Sequence, residues 1–112
     1  MCNEYIDIVI IYITIIKREN MIASFHHRGL ESFFSKGSYK AISAQYAARI
    51  ERILDRLDAT VVPEDMDLPG FKFHKLKGKR KGVYSVTASG NWRMTFKFDG
   101  DSAIEVDLED DH

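Results

Sequence analysis

Two imidazoles, an arginine and a group of lysines are residue types that could together cut RNA without a metal. Such cleavage needs three things. A base takes the 2′-hydroxyl proton, a cation steadies charge on the phosphorane, and an acid protonates the leaving 5′-oxygen. Histidine serves either proton role near neutral pH. Arginine grips a phosphate through two hydrogen bonds, and lysine adds a compact charge. His74, Lys77, Arg93 and His112 form such a set, with the carboxylates of Asp110 and Asp111 beside the last of them. Each member also has a plainer reading. His74 is compatible with an ordinary sheet edge, Arg93 with a cross-strand ion pair to Asp107, and His112 with a frayed terminus. What gives the set meaning is whether the fold gathers it on one surface.

The elements that would do so follow from periodicity. Met21 to His26 alternates apolar and polar and is expected to form a short strand. Leu30, Phe33 and Phe34 stand at helical spacing, and Lys36-Gly37 supplies a basic last turn and a glycine cap, so a helix is expected over Arg28 to Lys36. Ser43 reads as the N-cap of a second helix that buries Ala47, Ile50, Leu54 and Leu57 and ends near Ala59. Arg49, Arg52 and Arg56 would form a solvated ridge on it, paired with Glu51 and Asp55. Val61 to Gly70 holds both prolines and no period, and reads as a loop.

After Gly70 the period becomes two. Tyr84, Val86 and Ala88 share a face with Trp92, Met94, Phe96 and Phe98, and with Ile104, Val106 and Leu108. Ser89-Gly90-Asn91 and Asp99-Gly100-Asp101 fit three-residue hairpin loops. That register sets Trp92 opposite Leu108 and Arg93 opposite Asp107. The fold class is then α+β, with two N-terminal helices on the apolar face of a twisted, mainly antiparallel sheet. Ser85, Thr87, Arg93, Thr95 and Lys97 lie on the other face. Four segments converge there: Phe73 to Gly78, the basic turn Lys79 to Gly82, Asn91-Trp92-Arg93, and the terminus from Glu109 to His112.

Charge points to a polyanion. Between Met21 and Phe98 there are fourteen Lys and Arg against seven Asp and Glu, whereas seven acids follow from Asp99 onward. Lys72, Lys75, Lys77, Lys79, Arg80 and Lys81 fall within ten positions, so Lys75, Lys79, Arg80, Lys81 and the turn residue Asn91 are candidate RNA contacts. A solvated lysine-rich loop is the alternative. No HExxH, Walker or GxSxG pattern is present, Asp99-Gly100-Asp101 lacks the rest of a calcium loop, and adjacent His26 and His27 would point to opposite faces of a strand. Neither a metal nor another cofactor is expected. The single cysteine, Cys2, excludes an internal disulfide and suits a reducing compartment.

At 112 residues the chain is expected to hold one domain, residues 21–112. Residues 1–20 stand apart, with seven isoleucines and an apolar run, Ile8 to Ile16, too short to span a membrane. Nor do they suit a signal peptide, since no basic segment precedes the run. Their AT-rich codon usage favours translated upstream DNA with Met21 as the native start. An extra strand or a short buried helix is the structural alternative.

Taken in order, MI-x-SF-x-H, GL-x-x-FF-x-KG, RLDA, ED-x-x-LPG, FHKLKG, KG-x-YSV, SGNWRMTF-x-F and GDSAIEVDLEDDH resemble the HigB-type toxins of the RelE/ParE superfamily, over nearly all of residues 21–112. The resemblance implies a RelE-like fold and a cytoplasmic toxin of a type II toxin–antitoxin system. It further implies ribosome-dependent cleavage of messenger RNA and neutralisation by a HigA-type helix-turn-helix antitoxin. Operator DNA would be reached only through that complex, and no membrane is involved. The family's site residues fall on His74, Lys77, Arg93, Asp110 and His112. Where the family has Asp-Tyr-His at its end, this chain has Asp110-Asp111-His112. Aspartate cannot stack on a base and repels phosphate, although it can accept a proton, so weaker or altered cleavage is implied. Three alternatives remain open: a catalytically attenuated toxin, a ParE-like gyrase inhibitor, and a non-catalytic RNA-binding module.

Overall fold

The computed structural model describes residues 22–110. The expectations for residues 1–20, Met21, Asp111 and His112 lie outside the described residues. Helix α1 spans Arg28–Lys36, as its apolar spacing requires, and Gly37 closes it in the left-handed region at φ 69°. Its N-terminus is capped by a residue that sequence reading passed over. His27 Nδ1 accepts from the Leu30 N–H at 2.9 Å, so that nitrogen carries no proton.

Helix α2 spans Ala47–Asp58. Ser43 is not its N-cap. The Tyr46 N–H donates to the Ser43 carbonyl and the Ala47 N–H to the Ala44 carbonyl, forming tight turns that delay the helix. The expected stripe is buried, and Ile53 joins it. The arginine ridge is corrected too. Arg49 donates to the Gly70 and Thr87 carbonyls at 2.8 and 3.0 Å and lies over the Phe71 ring. Arg56 donates to the Asp65 carbonyl. These guanidinium groups tie helix α2 to carbonyls of the following loop, at Asp65 and Gly70, and of the sheet, at Thr87, and do not pair with Glu51 or Asp55. The loop they hold contains a 3-10 turn, Pro63–Met66, which carries Met66 into the core.

Strands β1 (His74–Lys75), β2 (Tyr84–Ser89), β3 (Trp92–Asp99) and β4 (Ser102–Asp110) form an antiparallel sheet in that order. Beyond β4 the expected first strand shrinks to one parallel bridge, Phe25 to Val106, flanked by the hydrogen bonds Ala23 N to Ala103 O and His26 N to Val106 O. Leu30, Phe33, Ile50, Ile53, Leu54 and Leu57 of the helices share one core with Val86, Met94, Phe96, Ala103 and Val106 of the sheet. Each fully buried Leu or Ile contributes roughly 1.5–3 kcal/mol against leaving it exposed. Trp92, expected on the core face, is 40% exposed at the end of the sheet.

The register differs from expectation in an instructive way. The β3–β4 loop has two residues, Gly100 and Asp101, so Asp99 pairs with Ser102. A bulge between Thr95 and Lys97, with Glu105 at φ 51°, then adds one more residue to β4. Partners move by one between the turn and the bulge; beyond the bulge the two offsets add, which restores the faces and moves each partner by two. Arg93 therefore faces Glu109, and Thr95 faces Asp107. Ala103 takes the buried place expected of Ile104. On the β2–β3 side the loop is also two residues, and a bulge between Thr87 and Ser89 returns the strands to the expected pairing.

Candidate active site

On the polar sheet face one ladder runs His74 to Ser85 and Ser85 to Thr95, and a second runs Thr87 to Arg93 and Arg93 to Glu109. Side chains two apart on a strand share a face, so the ladders build one surface. At its end lies a cleft of about 270 Å³, lined by His74, Leu76, Arg80, Ser85, Arg93, Thr95, Glu109 and Asp110.

His74 is exposed at the cleft margin, and its Nδ1 lies 2.9 Å from the Lys72 carbonyl oxygen. A carbonyl only accepts, so Nδ1 carries the hydrogen in that bond and Nε2 is the nitrogen left to act as a base. Lys72, whose carbonyl orients the ring, has φ 50°. Non-glycine residues are uncommon in that region, and such conformations collect at functional sites.

Arg80 is held at both of its Nη atoms. Its Nη1 and Nη2 donate to Oε1 and Oε2 of Glu109 at 2.9 and 2.6 Å, and the Thr95 hydroxyl donates to the same Oε2 at 2.6 Å. The Arg80 guanidinium, followed by the Thr95 hydroxyl, holds the Glu109 carboxyl below its ordinary 4.5, against a smaller upward push from burial. Glu109 in turn raises Arg80. Arg93 reaches the Ser85 hydroxyl at 3.5 Å. The expected Arg93–Asp107 pair is not formed, because the register places Asp107 opposite Thr95, and the Asp107 carboxylate accepts from the Leu108 N–H.

The cleft thus brings together His74, Arg93 and Asp110 from the sequence-derived set, and it adds Arg80 from the group read as RNA contacts. Lys77 does not line it. With Lys75, Lys81 and Tyr84 it lines an adjoining groove of about 380 Å³. Lys75 is an exposed partner of Glu64 at 2.9 Å. That pair raises the lysine and lowers the carboxyl through their mutual hydrogen bond. Lys79 is exposed in the 3-10 turn Gly78–Arg80, and Asn91 is exposed in the β2–β3 turn. Sequence reasoning placed Glu109, Ser85 and Thr95 on or beside this face but gave none of them a role in the site. A count of loop and bulge residues along β4 is the signal that would have brought Glu109 beside Arg93.

No helix among the described residues is long and apolar enough to cross a membrane. Residues 23–112 match the family described as RelE-like toxin of type II toxin-antitoxin system HigB. The chain is also 38% identical over 92 residues to Endoribonuclease HigB of Proteus vulgaris, a match that takes in 82% of this chain and 100% of that protein.

Proposed function

The chain belongs to the HigB-like family of RelE-like toxins of type II toxin–antitoxin systems, and we propose that its polar sheet face cuts messenger RNA on the ribosome. The supporting observation is the cleft. An imidazole with its Nδ1 tied to a carbonyl faces a surface holding Arg80 and Arg93. His74 Nε2 takes the 2′-hydroxyl proton, and the 2′-oxygen attacks phosphorus. Arg93 stabilises the charge that develops on the phosphorane oxygens. His112 donates the proton to the departing 5′-oxygen, and Asp110 and Asp111, which precede it in the sequence, assist that transfer. Lys77, in the adjoining groove, contributes positive charge along the RNA, together with Lys75, Lys79, Lys81 and Asn91. The products are a 2′,3′-cyclic phosphate and a 5′-hydroxyl.

On this reading the toxin is residues 21–112 in a RelE-like fold with a twisted sheet, acting in the cytoplasm. A HigA-type helix-turn-helix antitoxin neutralises the toxin, and operator DNA is bound only through that complex. Asp111 favours one variant of the reading, an attenuated enzyme, because it puts negative charge where the family has a stacking ring. Induced expression tests the proposal. Growth arrest with cuts in translated messages, lost on His74→Ala and Arg93→Ala, is the expected result. DNA-damage signalling ahead of translation arrest would replace it with gyrase poisoning, and neither response would leave an RNA-binding module.

A further inference from the structure

We propose that Arg80 is a second phosphate-gripping arginine of this cleft, and that Glu109, backed by Thr95, is the residue that positions it. The proposal rests on the RNA-cleaving reading above; it moves Arg80 from a general RNA contact to the cleavage step and adds Glu109 and Thr95, which the sequence-derived site did not name. Three observations carry it.

The first is geometry. Glu109 meets the guanidinium end-on through both carboxylate oxygens, which engages one hydrogen on Nη1 and one on Nη2. A guanidinium has five N–H hydrogens. The remaining three have no partner among the described residues, and Nε–H with the outer Nη hydrogen is the edge that binds a phosphate bidentately. The second is fixation. Thr95 is buried, and its hydroxyl braces Glu109 Oε2 from the strand behind. Arg80 comes from a short 3-10 turn and its side chain is 50% exposed. Left alone, it would sample many rotamers, and the carboxylate removes that freedom before the substrate arrives.

The third is placement. Arg80 lines the cleft together with His74 and Arg93, whereas Lys77 does not. Both Glu109 oxygens are committed to neighbours, so the carboxylate neutralises and orients the guanidinium without offering a bare charge to the phosphate. The ion pair keeps Glu109 ionised across the physiological range, so the brace does not switch off near neutral pH.

A double-mutant cycle reads this out. Single-turnover cleavage of a message on programmed ribosomes is measured for the wild type, Arg80→Ala, Glu109→Ala and the double variant. Arg80→Ala is expected to slow the cleavage step about 10²–10³-fold, the effect of losing one transition-state donor. Glu109→Ala should slow it about tenfold, with half-saturation changed less than threefold. In the Arg80→Ala background, removing Glu109 should change nothing further. An equal loss in that background, or a gain in rate from Glu109→Ala alone, overturns the proposal. Glu109→Gln and Thr95→Val repeat the comparison should Glu109→Ala fail to fold. If the wild type does not cut, the functional reading falls. The Arg80 Nε–H resonance then judges the proposal separately, with a 2′-deoxy-substituted RNA oligonucleotide as probe. A shift on binding that is lost in Glu109→Ala supports it, and no shift in the wild type refutes it.

Discussion

Replacing Thr95 by valine isolates the brace behind the cleft. The two side chains have nearly the same shape, so the change removes one hydroxyl and little else. That hydroxyl lies 2.6 Å from Glu109 Oε2. A hydrogen bond to a charged group contributes about 1.5–3 kcal/mol. Here the figure must be discounted, because Glu109 is 32% exposed and the same oxygen also accepts from Arg80. Valine regains a few tenths of a kcal/mol through strand preference and the absence of a buried hydroxyl. The net loss is then about 1 kcal/mol, which lowers Tm by about 4–8 °C in a domain of this size.

The pH dependence has a definite direction. Glu109 titrates below its unfolded value of 4.5 because Arg80 first, and Thr95 second, favour the carboxylate. The stability it supplies is present above 4.5 and is lost as pH falls through the lower, folded pKa. The Thr95→Val deficit should therefore be full at pH 7 and shrink once wild-type Glu109 takes up its proton. Thermal and urea unfolding at pH 7 and at successively lower pH provide the assay. Equal stabilities at pH 7, or a deficit unchanged in acid, would refute the reasoning.

Further outcomes are expected elsewhere. A Cβ on Gly29 would strike the Ala41 side chain and sit 3.0 Å from the His27 ring. Gly29→Ala should therefore cost about 1–2 kcal/mol of unfolding free energy despite the helix-propensity gain, and Ala41→Gly should restore much of it. Asp111→Tyr should strengthen growth arrest on induction by returning a stacking ring to the terminus; unchanged arrest would count against that role. Glu64→Gln should leave Tm unchanged at pH 7, because its pair with Lys75 is exposed on both sides, while tightening RNA binding at low salt in a filter-binding assay.

Helix α1 could be read to the residue because its signals are local: an apolar spacing, a terminal lysine and a glycine. Helix α2 kept its buried stripe but lost its expected start, since the bonds that delay it at Ser43 and Ala44 run through backbone carbonyls that any residue supplies. The sheet faces were legible through Met94, Phe96 and Val106. Partners were not, because alternation with a period of two cannot distinguish a register from one shifted by two residues. That ambiguity hid the Arg80–Glu109 contact, which joins a turn to a strand 29 positions away. His74 and Arg93 were legible by chemical type and segment. The division of Lys77 from Arg80 between two depressions depends on how the Gly78–Arg80 turn is wound, which composition does not encode.

The central claim is acid–base cleavage of messenger RNA on the ribosome, and the chemistry of the cut ends tests it most directly. Purified protein is incubated with one message, free and on programmed ribosomes, and the new termini are identified. The account predicts cutting only on the ribosome, leaving a 2′,3′-cyclic phosphate and a 5′-hydroxyl. Cutting of the free message, or 5′-phosphate ends produced by attacking water, would contradict it.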